Sequence, residues 1–261
     1  MRDARDDAHV EFDRVDMAFG DRPVLRGLSC RFPRGGISVI LGGSGSGKST
    51  ILRLIGGLVR PQTGRILVDG DDVTRRSESE MYDVRRKIGM MFQGGALLDS
   101  LTVFENLAFP LRERSDLDED GITAAVRETL AAVGLPGVES LLPGQLSGGM
   151  VKRVALARAI ITRPVILLCD EPFSGLDPLS VKRIEALLAG VNERLRATML
   201  VVSHHIASTM RLADWVVLLF REGAVEGRPE ALRRSPDSRV AAFLSEEGGP
   251  VADAATAEAT W

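Results

Sequence analysis

The chain has 261 residues, of which 44% are hydrophobic, enough to fill the core of one large domain or two modest ones. Its 33 Lys and Arg residues nearly balance its 36 Asp and Glu residues, which gives a formal net charge of −3. Because no dense Lys/Arg block stands out, the charge pattern disfavours a nucleic-acid partner.

The lack of a secretory signal and the pattern of cysteines both indicate a cytosolic protein. The N-terminal stretch MRDARDDAHVEF is charged and lacks the apolar segment of a secretory signal, so we expect the chain to stay in the cytosol. Its most apolar runs, PVILLCD, ATMLVVS and WVVLLF, are well short of the roughly 20 residues that cross a bilayer, so membrane association is expected through a partner. Cys30 and Cys169 lack metal-ligand spacing and are expected to be buried, reduced thiols.

The N-terminal third predicts the start of an α/β nucleotide-binding domain. Two short strand candidates, VEFDRVDMAF and GLSCRFP, indicate a small antiparallel layer. The segment GISVILGGSGSGKSTILRLIGGL then predicts a β-branched strand, a Gly-rich turn and a helix that ends at Gly56 and Gly57. A strand and a helix joined by such a turn are typical of phosphate-binding units.

The Gly-rich turn matches the phosphate-loop pattern G-x-x-x-x-G-K-[ST]. Its glycines let backbone N–H groups curl around a β-phosphate, while Lys48 would reach the β- and γ-phosphates and Ser49 would offer its hydroxyl to Mg²⁺. Because the predicted strand and helix flank the turn as this chemistry requires, the pattern predicts an NTP site. The residues assigned to the nucleotide are Gly42, Gly43, Ser44, Gly45, Ser46, Gly47, Lys48, Ser49 and Thr50.

A helical insert is predicted between residues 97 and 163. Its helix candidates are TVFENLAFPLRE, GITAAVRETLAAVGL and GMVKRVALARAIITR, with a Pro/Gly break at LPGQ. Just before the insert, Gln93 ends an apolar run, where its amide oxygen could reach Mg²⁺ or the side chain could simply be exposed. Within the insert, LSGGM (146–150) places a serine and two glycines ahead of a helix, where free backbone N–H groups suit a phosphate oxygen.

The C-terminal half alternates apolar strands with helical segments. PVILLCDEP, ATMLVVSHH and DWVVLLFREG predict buried strands, and LSVKRIEALLAGVNERLR predicts a helix between the first two. This alternation indicates a mostly parallel sheet with helices on both faces. The Ala/Gly/Thr-rich tail EGGPVADAATAEATW is expected to lack fixed structure by itself.

Polar side chains at the ends of two of these strands indicate hydrolytic chemistry. Asp170 would hold Mg²⁺ through water, and Glu171 would polarise the water that attacks the γ-phosphate. A strand-end Asp-Glu pair is often a solvated turn or a helix cap, but the phosphate loop in the same chain favours the functional role. His204 ends another strand and could hydrogen-bond the γ-phosphate, although a lone histidine is usually structural. His205 is the weaker candidate.

Taken in order, these motifs resemble those of the ATP-binding cassette (ABC) ATPases, up to about residue 245. The resemblance rests on the phosphate loop, Gln93, LSGGM as signature, ILLCDEP as Walker B strand, SGLD (174–177) as D-loop and His204 as switch histidine. It implies an α/β P-loop NTPase of the ABC type, with a RecA-like, mostly parallel sheet, a small antiparallel β layer and a helical subdomain. The implied divisions are a charged N-terminal segment 1–8, an ATPase domain 9–245 (core 9–96 and 164–245, helical subdomain 97–163) and a flexible tail 246–261.

The resemblance also implies roles for several further residues. Two cassettes of this family meet head to tail, so the signature of one chain would contact an ATP held by a second copy. Asp177 of the D-loop is assigned to the same nucleotide site. Phe19 falls where the family stacks an aromatic ring on adenine, with core packing as the alternative. Met150 replaces the more common glutamine, and His205 replaces an acid often found after the switch histidine. The signature residues expected to contact ATP are Ser147, Gly148 and Gly149.

Within the family, the chain resembles the ATPases of Mla/Mce-type phospholipid transporters, which maintain outer-membrane lipid asymmetry in Gram-negative bacteria. The similarity lies in the segments LRLIGGL, MMFQGGALLDSLTVFENLAFPLRE, LSGGMVKRVALARAI, CDEPFSGLDP and SPDSRVAAFL. It implies ATP and Mg²⁺ as cofactors and a position at the cytoplasmic face of the inner membrane. The implied partners are a second copy of the chain, a multi-pass permease facing the region after Gln93, an MCE-domain lipid-binding protein and a small STAS-domain subunit.

Two other classes stay open at this point. Another import-type ABC ATPase, for amino acids, metals or another small solute, would share the chemistry and differ in its permease. A soluble ABC protein acting on ribosomes or DNA usually fuses two cassettes or carries a long coiled coil, whereas this chain has a single cassette and no basic patch. The sequence therefore predicts a transport ATPase. The transported solute depends on the permease, which is a separate chain.

Overall fold

The structure, a computed structural model, describes residues 8–245. Residues 1–7 and the tail 246–261 lie outside this range, and so does the expectation that the tail lacks fixed structure. The strands are β1 (Ala8–Phe19), β2 (Arg22–Pro33), β3 (Ile37–Gly42), β4 (Thr63–Val68), β5 (Asp71–Asp72), β6 (Ile88–Met91), β7 (Ile166–Asp170), β8 (Thr198–Val202), β9 (Trp215–Phe220) and β10 (Gly223–Gly227). The helices are α1 (Lys48–Ile55), α2 (Glu78–Arg86), α3 (Val103–Arg114), α4 (Glu119–Ala132), α5 (Gly148–Ile160), α6 (Pro178–Leu195), α7 (Ile206–Leu212), α8 (Pro229–Arg233) and α9 (Ser238–Ser245).

The main sheet has six strands in the order β10-β9-β3-β8-β7-β6. All neighbouring pairs are parallel except the hairpin of β9 and β10. Every residue of β3, β7 and β8 is buried, as expected for continuous apolar strands that are covered on both faces. The predicted mostly parallel sheet and its buried strands are therefore confirmed.

Two hydrophobic cores cover the two faces of the main sheet. Ile40 of β3 packs into the core that contains α1 and the antiparallel layer. Its neighbours Val39 and Leu41 point the other way, into the core that contains residues of α5 and α6. This alternation follows from the two-residue side-chain period of a strand, and it places helices on both faces as predicted.

A second, four-stranded sheet has the order β2-β1-β4-β5, and all its pairs are antiparallel. It confirms the predicted antiparallel layer. Strand β2 begins at Arg22, earlier than the predicted start at Gly27, because Phe19 and Arg22 pair across a two-residue turn and extend the hairpin. Gly20 in that turn has φ +58°, a conformation that favours glycine.

The helices α3, α4 and α5 pack against one another, and they correspond to the three helices predicted for the insert. The loop before α3 is held by Asn106, which is fully buried. Its amide donates to the carbonyl oxygens of Leu98, Leu101 and Thr102, and its oxygen accepts the Leu98 N–H at 2.8 Å. The surface that precedes α3 is therefore fixed by a satisfied buried side chain.

Two further predictions concern the two cysteines and the apolar segments. Cys30 and Cys169 are both buried and free, as predicted. Burial raises the pKa of Cys169 to about 12, so its thiol is unreactive at neutral pH. None of the helices in residues 8–245 combines the length and apolar character that a membrane span requires.

Candidate nucleotide site

The carboxyl ends of parallel strands bring the predicted site residues to one edge of the main sheet. Ile40 of β3 and Asp170 of β7 both lie beside Val202 of β8, and β6 pairs with β7. The loops that follow these strands carry the phosphate loop, the predicted catalytic acid, the switch histidine and the predicted Mg²⁺ glutamine. This is the edge at which α/β sheets of this kind bind ligands.

The phosphate loop joins β3 to α1 through glycines that the backbone requires. Gly42 has φ +156° and Gly47 has φ +97°. A Cβ at Gly42 would lie 2.8 Å from the carbonyl oxygen of Leu219, and one at Gly47 would lie 2.8 Å from the side chain of Leu25. No side chain caps the N-terminus of α1, so its first N–H groups are available to an anion.

Lys48 lies over the phosphate loop. Its Nζ donates to the carbonyl oxygen of Gly42 at 2.7 Å and to that of Gly43 at 3.0 Å. Burial lowers the pKa of Lys48, and the nearby carboxylates of Glu171 and Asp170 oppose this shift. The ammonium is therefore placed among acidic groups at the mouth of the loop, where phosphate oxygens could replace its carbonyl partners.

Ser49 and Asp170 form the pair that fits Mg²⁺. The Ser49 hydroxyl donates to Oδ1 of Asp170 at 2.8 Å, so two hard oxygen atoms of the type that Mg²⁺ prefers lie together. Within residues 8–245, no group of three or more His, Cys, Asp or Glu side chains could hold a metal ion. Gln93 is exposed just after β6, and its contact with Mg²⁺ stays a prediction.

The two predicted catalytic residues, Glu171 and His204, contact each other. Glu171 follows β7 and is 8% exposed, and its Oε2 lies 2.8 Å from Nδ1 of His204 in a hydrogen bond. The imidazole of His204 is 53% exposed, and the ring of His205 lies 4.5 Å from it. The histidine therefore holds the carboxylate while keeping access to solvent at the site.

The signature and D-loop residues lie around a separate cavity of about 290 Å³. Ser147 caps α5, where its hydroxyl accepts the Met150 N–H at 3.3 Å. Asp177 caps α6 by accepting two N–H groups of the first turn. No phosphate-loop residue is among those that line this cavity. The lining includes Ser147, Gly148, Gly149, Arg153, Asp177 and Arg183.

Phe19 ends β1 and is 45% exposed. Core packing, the alternative role for this ring, therefore does not describe it, while adenine stacking stays a prediction. In the phosphate loop, Gly43, Ser44 and Gly45 are exposed, and Thr50 is buried in α1. The exposed tip and the buried base of the loop fit a segment that is anchored in the core and open to a ligand.

Two cations of α5 contact the loops that follow β6 and β7, although sequence reasoning did not single them out. Lys152 is buried, and its Nζ donates to the carbonyl oxygen of Glu171 and to the hydroxyl of Ser174. The guanidinium of Arg158 donates to the carbonyl oxygens of residues 95–96, at 2.9 Å and 2.8 Å. Cations within the otherwise apolar helical run VKRVALARAI are the signal that points to such contacts.

An apolar groove of about 510 Å³ lies beside α2, α3 and the segment after β6. Soluble proteins seldom gather so many exposed large apolar side chains in one place without a binding partner. The groove overlaps the surface that the sequence predicted to face a permease, and Arg85, Arg114 and Arg158 also line it. Its exposed apolar side chains are Leu58, Tyr82, Phe92, Leu98 and Phe109.

Comparisons with known proteins agree with this geometry. A family model described as "ABC transporter" matches residues 25–174. The chain is 43% identical to the intermembrane phospholipid transport system ATP-binding protein MlaF of Haemophilus influenzae, over 93% of this chain and 92% of that protein. It is 42% identical to MlaF of Escherichia coli K12, over 90% of this chain and 88% of that protein.

A solved structure extends the similarity to three dimensions. The dimeric post-hydrolysis state of the ATP-binding cassette MJ0796, bound to ADP and Pi, superposes with a TM-score of 0.78 at 30% identity. The match covers 84% of this chain and 98% of that one. The order of the motifs, the arrangement of the site and these similarities show that the chain belongs to the ATP-binding subunits of ABC transporters and is an ATPase.

Proposed function

We propose that the chain is the ATP-hydrolysing subunit of a membrane transporter that moves phospholipids between the inner and outer membranes and thereby maintains lipid asymmetry. The observation that carries this proposal is the 43% identity, over 93% of the chain, to a phospholipid transport ATPase. The subunit would act at the cytoplasmic face of the inner membrane, held there by its permease. An ATPase of another importer, for amino acids, metals or another small solute, is the alternative, and it would differ in the solute moved.

In the proposed reaction, Lys48 binds the β- and γ-phosphates by exchanging its two carbonyl partners for phosphate oxygens. Glu171 polarises the attacking water. In this structure the Glu171 carboxylate is hydrogen-bonded to His204. When nucleotide binds, the exposed imidazole would turn towards the γ-phosphate, and the carboxylate would then be free to bind the attacking water. Bound Mg²⁺ would neutralise charge on the phosphate oxygens. The residues proposed to hold it are Ser49, Gln93 and Asp170.

We also propose that each ATP is shared by two copies of the chain. Two features support this: the separation of the phosphate loop from the signature cavity within one chain, and the similarity to a cassette solved as a dimer. In a head-to-tail pair, the backbone around Ser147 would contact the γ-phosphate of the partner's nucleotide at the positive end of α5. Arg153 and Arg183 add positive charge beside it.

The apolar groove is the proposed docking site of a cytoplasmic helix of the permease. Its exposed apolar side chains suit the apolar face of a helix, and it adjoins the loop that carries Gln93. A movement of the docked permease helix could therefore be transmitted to the nucleotide site through the loop that carries Gln93. An MCE-domain lipid-binding protein and a STAS-domain subunit complete the proposed complex.

Removal of the phosphate-loop lysine should weaken ATP binding. In Lys48→Ala we expect Kd for ATP to rise roughly 10- to 100-fold, because hydrogen bonds to a charged group contribute about 1.5–3 kcal/mol. Titration with a fluorescent ATP analogue measures the change. Lys182→Ala removes an exposed lysine of α6 and should bind like the parent chain. An unchanged Kd in Lys48→Ala would refute the assigned contact.

Neutralising the catalytic acid should remove turnover but not binding. In Glu171→Gln we expect kcat to fall by ~100-fold or more with little change in the affinity for ATP, since the lost contact acts on the attacking water. Steady-state phosphate release and nucleotide titration check the two quantities. Glu193→Gln, at an exposed position of α6, is the matched control. Near-normal turnover in Glu171→Gln would reject its assigned role.

A charge in the apolar groove should uncouple transport from ATP hydrolysis. Phe109 is 54% exposed in the groove, so Phe109→Glu should fold normally and disrupt only the docked helix. We expect ATP-dependent phospholipid transfer by the reconstituted complex to fall roughly tenfold or more, while the isolated chain keeps its ATPase activity. Leu117→Glu, at an exposed leucine that is not among the groove residues, is the control.

The same assay separates the two transport functions. The phospholipid proposal expects transfer of labelled phospholipid between vesicles that depends on ATP and on Glu171. If the complex of the chain with its permease accumulates an amino acid or metal ion and moves no phospholipid, the alternative importer function is correct. Unchanged phospholipid transfer by Phe109→Glu would instead place the permease contact elsewhere.

A further inference from the structure

The signature helix α5 is tied to the backbone of the catalytic acid by a buried lysine. Lys152 is 5% exposed, and its Nζ donates to the carbonyl oxygen of Glu171 and to Oγ of Ser174, both at 3.1 Å. The Ser174 hydroxyl donates to the same carbonyl at 2.9 Å. Within residues 8–245, Lys152 forms no ion pair. Its charge is therefore directed at a main-chain oxygen of the catalytic residue rather than at a carboxylate.

Glu171 needs such support because its backbone adopts an unfavourable conformation. Its φ is +49°, in the left-handed region that residues with a Cβ seldom occupy. Conformations of this kind persist where the surroundings hold them. The Glu171 N–H donates to the carbonyl oxygen of Val202 at 3.0 Å, and its own carbonyl is held by Lys152 and Ser174. Without Lys152, the carbonyl oxygen of Glu171 loses its charged hydrogen-bond donor.

We propose that Lys152 is a positioning residue for ATP hydrolysis, which holds the Glu171 carbonyl and thereby fixes where the Glu171 carboxylate lies. The side chain of a strained residue moves when its backbone relaxes. Lys152 therefore influences the position of the Glu171 carboxylate through the Glu171 backbone, without contacting the carboxylate itself. Burial lowers the pKa of Lys152, and the carboxylates of Glu171 and Asp170 oppose this shift. These acids favour the charged ammonium, which is the better donor to a carbonyl.

The same contact joins two nucleotide sites, a step that rests on the proposed shared site. The N-terminus of α5 would contact the ATP of the partner chain, whereas Glu171 acts on the ATP of its own chain. A displacement of α5 when the partner's ATP is engaged would be transmitted by Lys152 to the Glu171 backbone. Lys152 is therefore placed to make hydrolysis at one site depend on closure at the other, which is a coupling between sites in the thermodynamic sense.

The test compares Lys152→Met, which keeps an unbranched side chain without the donor, with Lys152→Arg, which restores a cation. In the full chain we expect kcat of Lys152→Met to fall roughly 10- to 100-fold, because small displacements of catalytic groups have effects of this size. KM and Kd for ATP should change by less than about twofold. Lys152→Arg should recover part of the lost kcat, and Lys182→Met, at an exposed lysine, should match the parent.

A purely structural role would give a different pattern, in which the thermal midpoint falls, Kd rises and kcat declines together. Ser174→Ala keeps the proposal testable if Lys152→Met does not fold, since it removes the hydroxyl donor to the same carbonyl from a less buried position and leaves the Ser174 N–H, which also donates to that carbonyl at 3.3 Å. We expect a smaller loss confined to kcat. Normal kcat in the folded variants, or a rise in Kd that matches the fall in kcat, would overturn the proposal. An inactive Glu171→Gln with an unaffected Lys152→Met would refute the positioning role and leave the proposed function standing.

Discussion

The parallel pairing of β3, β8, β7 and β6 is the constraint on which the site depends, because it decides which loops lie next to one another. These strands have apolar side chains on both faces, and a slip of one residue would exchange the two faces of a strand. The two cores therefore hold the register. With the register fixed, Ser49 meets Asp170 across 121 residues of sequence and Glu171 meets His204 across 33. No local property of the phosphate loop could create these contacts alone.

Helix α5 connects this edge of the sheet to two other surfaces. It begins at the signature cavity, reaches the Glu171 backbone through Lys152, and reaches residues 95–96 through Arg158. Burial lowers the pKa of Arg158, and the guanidinium is stabilised by the carbonyl oxygens it contacts. Since Arg158 also lines the apolar groove, one rigid helix contacts the regions proposed for the permease, the partner's nucleotide and the catalytic acid. In the proposed transporter, docking and hydrolysis would be linked through this helix.

Much of the fold, and the placement of the phosphate loop and of the polar residues at the strand ends, could be predicted from sequence, because long apolar runs and closely spaced glycines are strong local signals. Short or polar elements could not be predicted in this way. Helix α2 is mostly polar and buries only Met81 and Val84, so it has no long apolar run that would mark it, and β5 has two residues. Lys152 was missed for another reason, since its role depends on the loop that α5 packs against. Likewise, the sequence placed Glu171 and His204 at strand ends but could not show that they bond to each other.

The most direct test of the shared nucleotide site is whether two inactive chains restore one complete site when mixed. A Lys48→Ala chain and a Ser147→Arg chain, each paired with itself, would have two damaged sites, whereas in a mixed dimer both lesions fall in one site and the other is intact. Cysteines placed across the dimer seam report ATP-dependent closure by crosslinking. We expect crosslinked heterodimer in the mixture and almost none with either variant alone. If confirmed heterodimers crosslink no better than the sum of the two parents, the signature loop does not complete the partner's ATP site.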